Sequence, residues 1–208
     1  MTFCSSKKLL VFGFGGHARS VADIALTCGY EDMLFLEATA KVGESFLGYP
    51  VVKDAARLDP SWCLAFAASG DGAQRKRQCE LIDAMGLSLV SLVSPLASVG
   101  AGCDIASGCF VGHHAHIGPL VRIGRSAIVN TGAIVEHESC IGEFSHVSVN
   151  ATIAGRSKLG SFSMLGAGAT IIDGVSTVDY VTIGAGAVVI NCVSSSGIYA
   201  GVPARRLN

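Results

Sequence analysis

From Val93 onward every sixth residue is aliphatic, with a single exception. The series runs Val93, Val99, Ile105, Val111, Ile117, Ile123, Val129, Val135, Ile141, Val147, Ile153, Leu159, Leu165, Ile171, Thr177, Ile183, Val189, and Thr177 alone departs from it. Four places after each of these stands Ala, Cys, Ser or Val, from Ala97 to Val193. The residue directly after the aliphatic is often Gly, as at 100, 112, 118, 124, 142, 160, 166 and 184. A period of six fits neither the alternation of an amphipathic strand nor the 3.6 of a helix. It is the signature of a parallel β-helix, in which each hexapeptide supplies one short strand and one turn. The aliphatic points inward and stacks on its equivalents, and the small residue fits a tight corner. Three hexapeptides close a triangular coil, so stacked residues stand eighteen apart and residues 93–194 make five to six coils. One coil cannot bury a core alone, so the coils fold only by stacking. The alternative is a β-sandwich with valine-rich strands, and it does not account for two aligned series.

The chain before this repeat has another character. Lys8 to Phe12 reads as a buried strand, His17 to Thr27 as a helix with Val21, Ile24, Ala25 and Cys28 on one face, and Met33 to Leu36 as a second strand. Val51 to Leu58 reads as a short strand and helix, Trp62 to Ala68 as a strand, Gln74 to Met85 as a charged helix, and Leu87 to Val93 as a last strand. Strands alternating with helices predict a small α/β, Rossmann-like domain with a parallel sheet. We place it at 1–92 and the β-helix, with a C-terminal tail, at 93–208, the boundary lying near Pro95.

Composition narrows the function classes. Half of the 208 residues are hydrophobic, which excludes a disordered chain. Fifteen Lys and Arg oppose sixteen Asp and Glu, so no basic excess points to nucleic acid or an anionic membrane. No apolar run approaches the ~20 residues of a membrane span. Lys7-Lys8 before an apolar stretch faintly resembles a signal peptide, but Gly13 to Gly16, His17 and Arg19 interrupt it. The eight Cys are scattered, without a C-x-x-C, and read as reduced, mostly buried thiols in a cytoplasm.

Gly13-Phe14-Gly15-Gly16-His17-Ala18 fits G-x-G-x-x-G/A between a strand and a helix, where backbone N–H groups favour a phosphate. The bland alternative is a glycine turn that only packs helix on strand. Glu37 follows the second strand, the place of a ribose-binding acid in dinucleotide folds. The domain is nevertheless small for a full dinucleotide fold, so NAD is disfavoured. His17 at the helix start is a phosphate donor or a surface residue. Gly70-Asp71-Gly72 makes a second strand-to-helix turn at the same sheet edge, and Arg75 beyond it reads as a phosphate partner or a solvated charge. On the β-helix, no two of His113, His114, His116, His137 and His146 stand eighteen or thirty-six apart, so a single-chain metal cluster is disfavoured. His137 lies in Val135-Glu136-His137-Glu138, where a carboxylate can fix its tautomer and leave a nitrogen free as a base. Its alternative is an exposed histidine on a charged turn. His146 reads as a site residue or a corner histidine, and His113, His114 and His116 as surface or trimer-contact residues.

Asn130-Thr131, Val135 to Glu138, Ile141 to Ser148 and the ending Gly201-Val202-Pro203-Ala204-Arg205 together resemble one group. It is the bacterial hexapeptide-repeat sugar acyltransferases that carry a small N-terminal nucleotide-sugar domain. The resemblance implies a left-handed parallel β-helix, a homotrimer with sites between subunits, and acetyl-CoA as co-substrate without a metal. It implies transfer to the 4-amino group of a nucleotide-linked 4-amino-4,6-dideoxy sugar, UDP favoured, as in diacetylbacillosamine synthesis. By that resemblance His137 is the general base and Glu138 its neighbour, and Asn130 and His146 sit near the acyl group. Gly155 is a backbone donor, and Gly166, Ala167, Gly184, Ala185 and Pro203 line the coenzyme A groove. Gly15, His17, Glu37, Gly70 and Arg75 serve the nucleotide end. Family members with two acidic residues after the second strand differ from this chain, where Ala38 follows Glu37. A sugar O-acetyltransferase and a non-catalytic nucleotide-binding trimeric scaffold are the rival readings.

Overall fold

The structure is a computed structural model and describes residues 7–54 and 62–207. The chain divides into two compact units, Met1–Leu92 and Val93–Asn208. In the first, β1 (Lys8–Phe12), α1 (Gly16–Thr27), β2 (Asp32–Leu36), β3 (Ser45–Phe46), β4 (Tyr49–Val52), β5 (Leu64–Ala67), α2 (Gly72–Ala84) and β6 (Ser88–Leu89) follow in order. They form one sheet in the order β3-β4-β2-β1-β5-β6, parallel except for the β3–β4 hairpin. The apolar run of β1 sits at the centre because it is covered on both faces: Leu9, Leu10 and Val11 are fully buried. α1 packs through Ala18, Val21, Ala22, Ile24 and Ala25, the stripe its sequence spacing predicts, with Cys28 as the C-terminal cap. The chain leaves β1 toward β2 on one side and returns to β5 on the other. The carboxyl end of β1 is therefore a topological switch point, where ligands of open parallel sheets bind.

Two expectations need correction here. Leu87 to Val93 is not one strand. Ser88–Leu89 pairs with β5, whereas Leu92–Val93 begins the first solenoid ladder. The break between them lets the backbone leave one sheet for another. Of the region Val51 to Leu58 expected as strand and helix, the strand is Tyr49–Val52, and the part expected as helix lies, from 55 on, outside the described residues.

The second unit is a parallel β-helix of mostly two-residue strands in three ladders of eight, six and four strands, the first ending in the C-terminal Gly197–Ala200 and the antiparallel Arg205–Arg206. Pairing advances by eighteen residues: Phe110 on Ile128, Ile128 on His146, His146 on Met164. The aliphatic and small series together form the core, from Cys109 and Val111 to Val189 and Val193. Each fully buried Val, Ile or Leu contributes about 1.5–3 kcal/mol. The first coil is an exception, because no coil lies beneath it and Val99 stays 44 % exposed.

Apart from Gly155, the glycines of the repeat fall into two columns with different causes. Those directly after the aliphatic face the backbone of the next coil: a Cβ on Gly112 would stand 2.6 Å from Thr131 N, and one on Gly166 2.6 Å from Ala185 N. Those three places after it take positive φ, as do non-glycine residues in the same column, including Glu138 at 60° and Arg156 at 54°. Thr177 also has a physical reason. Elsewhere the N–H after the aliphatic donates to the next coil's aliphatic carbonyl, as Gly142 does to Leu159; Gly160 N instead donates to Thr177 Oγ1 at 3.1 Å.

Cysteines are less buried than expected. Among those described, all unbridged, only Cys79 and Cys109 are buried, while Cys63 and Cys192 are exposed. Cys140 holds the outward-facing place before an aliphatic, so the pleat turns it from the core.

Candidate active site

His137 follows Ile134–Val135 at the corner between the six-stranded and four-stranded ladders. Its Nδ1 lies 3.1 Å from Glu138 Oε2, a contact that the left-handed backbone at Glu138 brings about. An ionised carboxylate only accepts, so Nδ1 carries the proton and Nε2 is left as an acceptor. The side chains are 43 % and 53 % exposed, which leaves the dyad open to a ligand.

Eighteen residues on, Gly155 lies directly over this imidazole. A Cβ there would stand 2.6 Å from His137 Nε2, 2.7 Å from its Cε1 and 3.0 Å from Asp173 Oδ1. Gly155 is the one solenoid glycine two places after an aliphatic, and the obstacle its missing side chain avoids is a histidine ring rather than a neighbouring backbone. Among the described residues its N–H donates to no acceptor. Asp173 in turn is paired through Oδ2 with Arg156 Nη2. Asp173 stands eighteen residues beyond Gly155, in the same column of the coils.

Asn130 and His146 form a second cluster. Asn130 Nδ2 lies 3.2 Å from His146 Nε2, and Asn130 Oδ1 accepts from Thr131 N at 2.8 Å. Asn130, Gly166, Ala167, Gly184 and Ala185 all follow strands of the eight-stranded ladder, to which His146 itself belongs. They occupy the corner between the eight- and six-stranded ladders. The residues expected at one acyl-transfer site thus divide between two corners of one chain. Pro203 is exposed in the tail that joins Gly197–Ala200 to Arg205–Arg206. His113 and His116 place Nδ1 on Ser94 and Ser98 of the preceding coil, at 2.7 and 2.8 Å.

In the first unit, the switch point carries two clefts that share Glu37. One, of about 310 Å³, is lined by Phe14, Gly15, Glu37, Thr39, Lys41 and Glu44 among others. The other, of about 210 Å³, includes Gly13, Glu37, Lys53, Gln74 and Gln78. Gly13 needs to be glycine, with φ 107° and Gln78 Nε2 only 3.1 Å from a Cβ; Gly15 and Gly16 face open space. Glu37 Oε1 accepts from Thr39 N at 3.2 Å and Thr39 Oγ1 at 2.9 Å. His17 is half-buried in the first turn of α1. Arg75 corrects the reading of it as a solvated charge. It is fully buried, and Nη1 donates to the carbonyls of Ser69 at 2.8 Å and Gly70 at 3.0 Å. It braces the Gly70 turn from inside and is not a solvated charge. Gln78, which accepts from Ser69 N at 3.0 Å and abuts Gly13, ties the two turns together and was not anticipated. Among the described residues no three His, Cys, Asp or Glu stand together as a metal site, and no helix is long and apolar enough to cross a membrane.

Residues 8–82 match the family model of the PglD N-terminal domain. The whole chain is similar to the acetyltransferase domain of PglB from Neisseria gonorrhoeae, with 30% identity over 97% of this chain and 100% of that one and a TM-score of 0.90. The chain belongs to this family of acetyltransferases. The PglB domain has also been solved with acetyl coenzyme A. A further family member, PerB from Caulobacter crescentus, solved with CoA and GDP-perosamine, is 29% identical over 97% of each chain, with a TM-score of 0.86. The left-handed β-helix preceded by an α/β domain is the architecture the family shares.

Proposed function

We propose that this chain transfers an acetyl group from acetyl-CoA to the 4-amino group of a nucleotide-linked 4-amino-4,6-dideoxy sugar, UDP being the nucleotide of first choice. The observation that carries the reading is the His137–Glu138 dyad with Nε2 free beside Gly155. Support for an amino-sugar acceptor comes from PerB, which binds CoA and GDP-perosamine. The clefts at the switch point hold the nucleotide, its phosphates at Gly15, Gly16 and His17 and its ribose at Glu37.

In the reaction the amine nitrogen attacks the thioester carbonyl, forming the C–N bond as its proton passes to His137 Nε2. The C–S bond then breaks, and the sulfur leaves as the CoA thiol with that proton. Glu138 holds the imidazole in the required tautomer. The Gly155 N–H is available to the oxyanion. No acyl-enzyme is needed, because two substrates held together react by proximity.

A site that also uses His146 and Asn130 needs two copies of the chain, since one copy holds them on different corners. Two unlike surfaces meeting make a heterologous interface, which forms a ring when its rotation closes. We assign that ring as a homotrimer with the acyl donor between copies. We place it in the cytoplasm, in keeping with the unbridged cysteines.

Thiol release from acetyl-CoA, measured against UDP-, dTDP- and GDP-linked 4-amino sugars, tests the reading. One of these acceptors is expected to turn over, and His137→Ala to lower the rate by about 10²–10⁴-fold with an unchanged melting temperature. Near-normal turnover by a folded His137→Ala protein overturns the reading.

A further inference from the structure

The gap over Gly155 is bounded by two acceptors. His137 Nε2 is one, because its Nδ1 is engaged by Glu138. Asp173 Oδ1 is the other, and both lie within 3.0 Å of the place where a Cβ on Gly155 would stand. Arg156, one residue after Gly155, holds Asp173 through Oδ2, so Oδ1 is the oxygen turned to the gap. Three successive coils thus contribute a base, a gap and a carboxylate in one column.

A nucleophile must sit beside Nε2 to hand over its proton. A nucleophile that approaches over Gly155 also comes toward Asp173 Oδ1, since both acceptors converge on the side of Gly155 that lacks a side chain. A neutral amine has two N–H groups, one for each acceptor, and its lone pair remains for the thioester carbon. A hydroxyl has one O–H. Once that is given to Nε2, the hydroxyl turns only lone pairs toward the carboxylate, which repels them. From this the geometry points to Asp173 as a specificity-determining residue that selects an amine over a hydroxyl acceptor, oriented by Arg156 as a positioning residue. The inference rests on the acetyl-transfer reading above and adds a residue to it.

The test uses the full chain, acetyl-CoA and a matched pair of nucleotide sugars that differ only in carrying an amine or a hydroxyl at the reacting carbon. The wild-type protein is expected to favour the amine. Asp173→Ala is expected to reduce the amine-to-hydroxyl ratio of kcat/KM by about 10- to 100-fold, through loss on the amine and relief of the repulsion on the hydroxyl, with the KM for acetyl-CoA unchanged. Asp173→Asn, of the same shape but without the charge, is expected to fall between the two. Asp173 is half-exposed, and a melting curve for each variant separates selectivity from folding. An unchanged ratio in folded Asp173→Ala overturns the role of Asp173 and leaves the acetyl-transfer reading standing. Loss of both acceptors in equal proportion also overturns it, since that is what a merely structural carboxylate would give. Turnover that survives His137→Ala overturns both.

Discussion

Glu138 takes φ 60°, a backbone region that costs an L-residue about 1–2 kcal/mol, and in return its carboxylate reaches His137 Nδ1. Glycine fills the same column at 132, 168, 174 and 186 without that cost. Stability and chemistry therefore pull in opposite directions at this residue. Glu138→Gly relieves the backbone but frees the unfolded chain, for a net gain of up to about 1 kcal/mol in denaturant unfolding. It also unties the imidazole and should slow thiol release by about 100-fold. A variant that is more stable and equally active would show that the carboxylate is not what orients the base. His137 was visible as a candidate in the sequence because it sits beside a carboxylate and matches a known motif. Asp173 was not, because an acidic residue on a turn has no signal of its own until the coil register is followed from His137. Arg75 misled in the opposite way: a charged residue on a charged helix reads as solvated, and nothing in the local sequence reveals that two carbonyls of the preceding turn fold over its guanidinium.

At the level of the hexapeptide, the repeat was legible because stacking demands it. Inward places, Thr177 apart, call for an aliphatic and tight corners for a small side chain, so one geometry writes the same pattern coil after coil. The N-terminal elements were legible in kind but less so in extent, since their ends depend on pairing across the sheet. Leu87 to Val93 looked continuous because apolarity is needed by both sheets it serves. The glycine columns separate structure from function. In Gly166→Ala the new Cβ would meet the backbone of the next coil, so strands must shift, at a cost of about 1–3 kcal/mol. In Gly155→Ala it would meet the end of a half-exposed histidine, which can swing aside. Thermal melts and thiol release on the two variants should therefore diverge. Gly166→Ala is expected to melt several degrees lower, and Gly155→Ala to keep its melting temperature and lose turnover. A large drop in melting temperature for Gly155→Ala would mean that this glycine serves the coil and not the site.

For the molecule as a whole, the division of the expected site between two corners has a consequence that a single chain cannot show. His137 with Glu138 stands at one corner, and His146 with Asn130 at the next. If each site takes His137 from one copy and His146 from its neighbour, His137→Ala and His146→Ala damage opposite sides of the same interface. Homotrimers of either variant then have no intact site. In mixed trimers, a copy with His146→Ala still offers His137, and a neighbour with His137→Ala still offers His146. Random assembly at equal ratio rebuilds both halves at roughly one site in four, so co-refolded or co-expressed protein should recover about a quarter of the wild-type rate. Sedimentation should report a trimer throughout, because neither substitution removes a core residue: both histidines are half-exposed. If the two sets of residues instead serve separate sites within one chain, mixing restores nothing. Recovery thus depends only on whether neighbouring copies share the site, which makes the mixed assembly a sharper measure of the architecture than either variant alone.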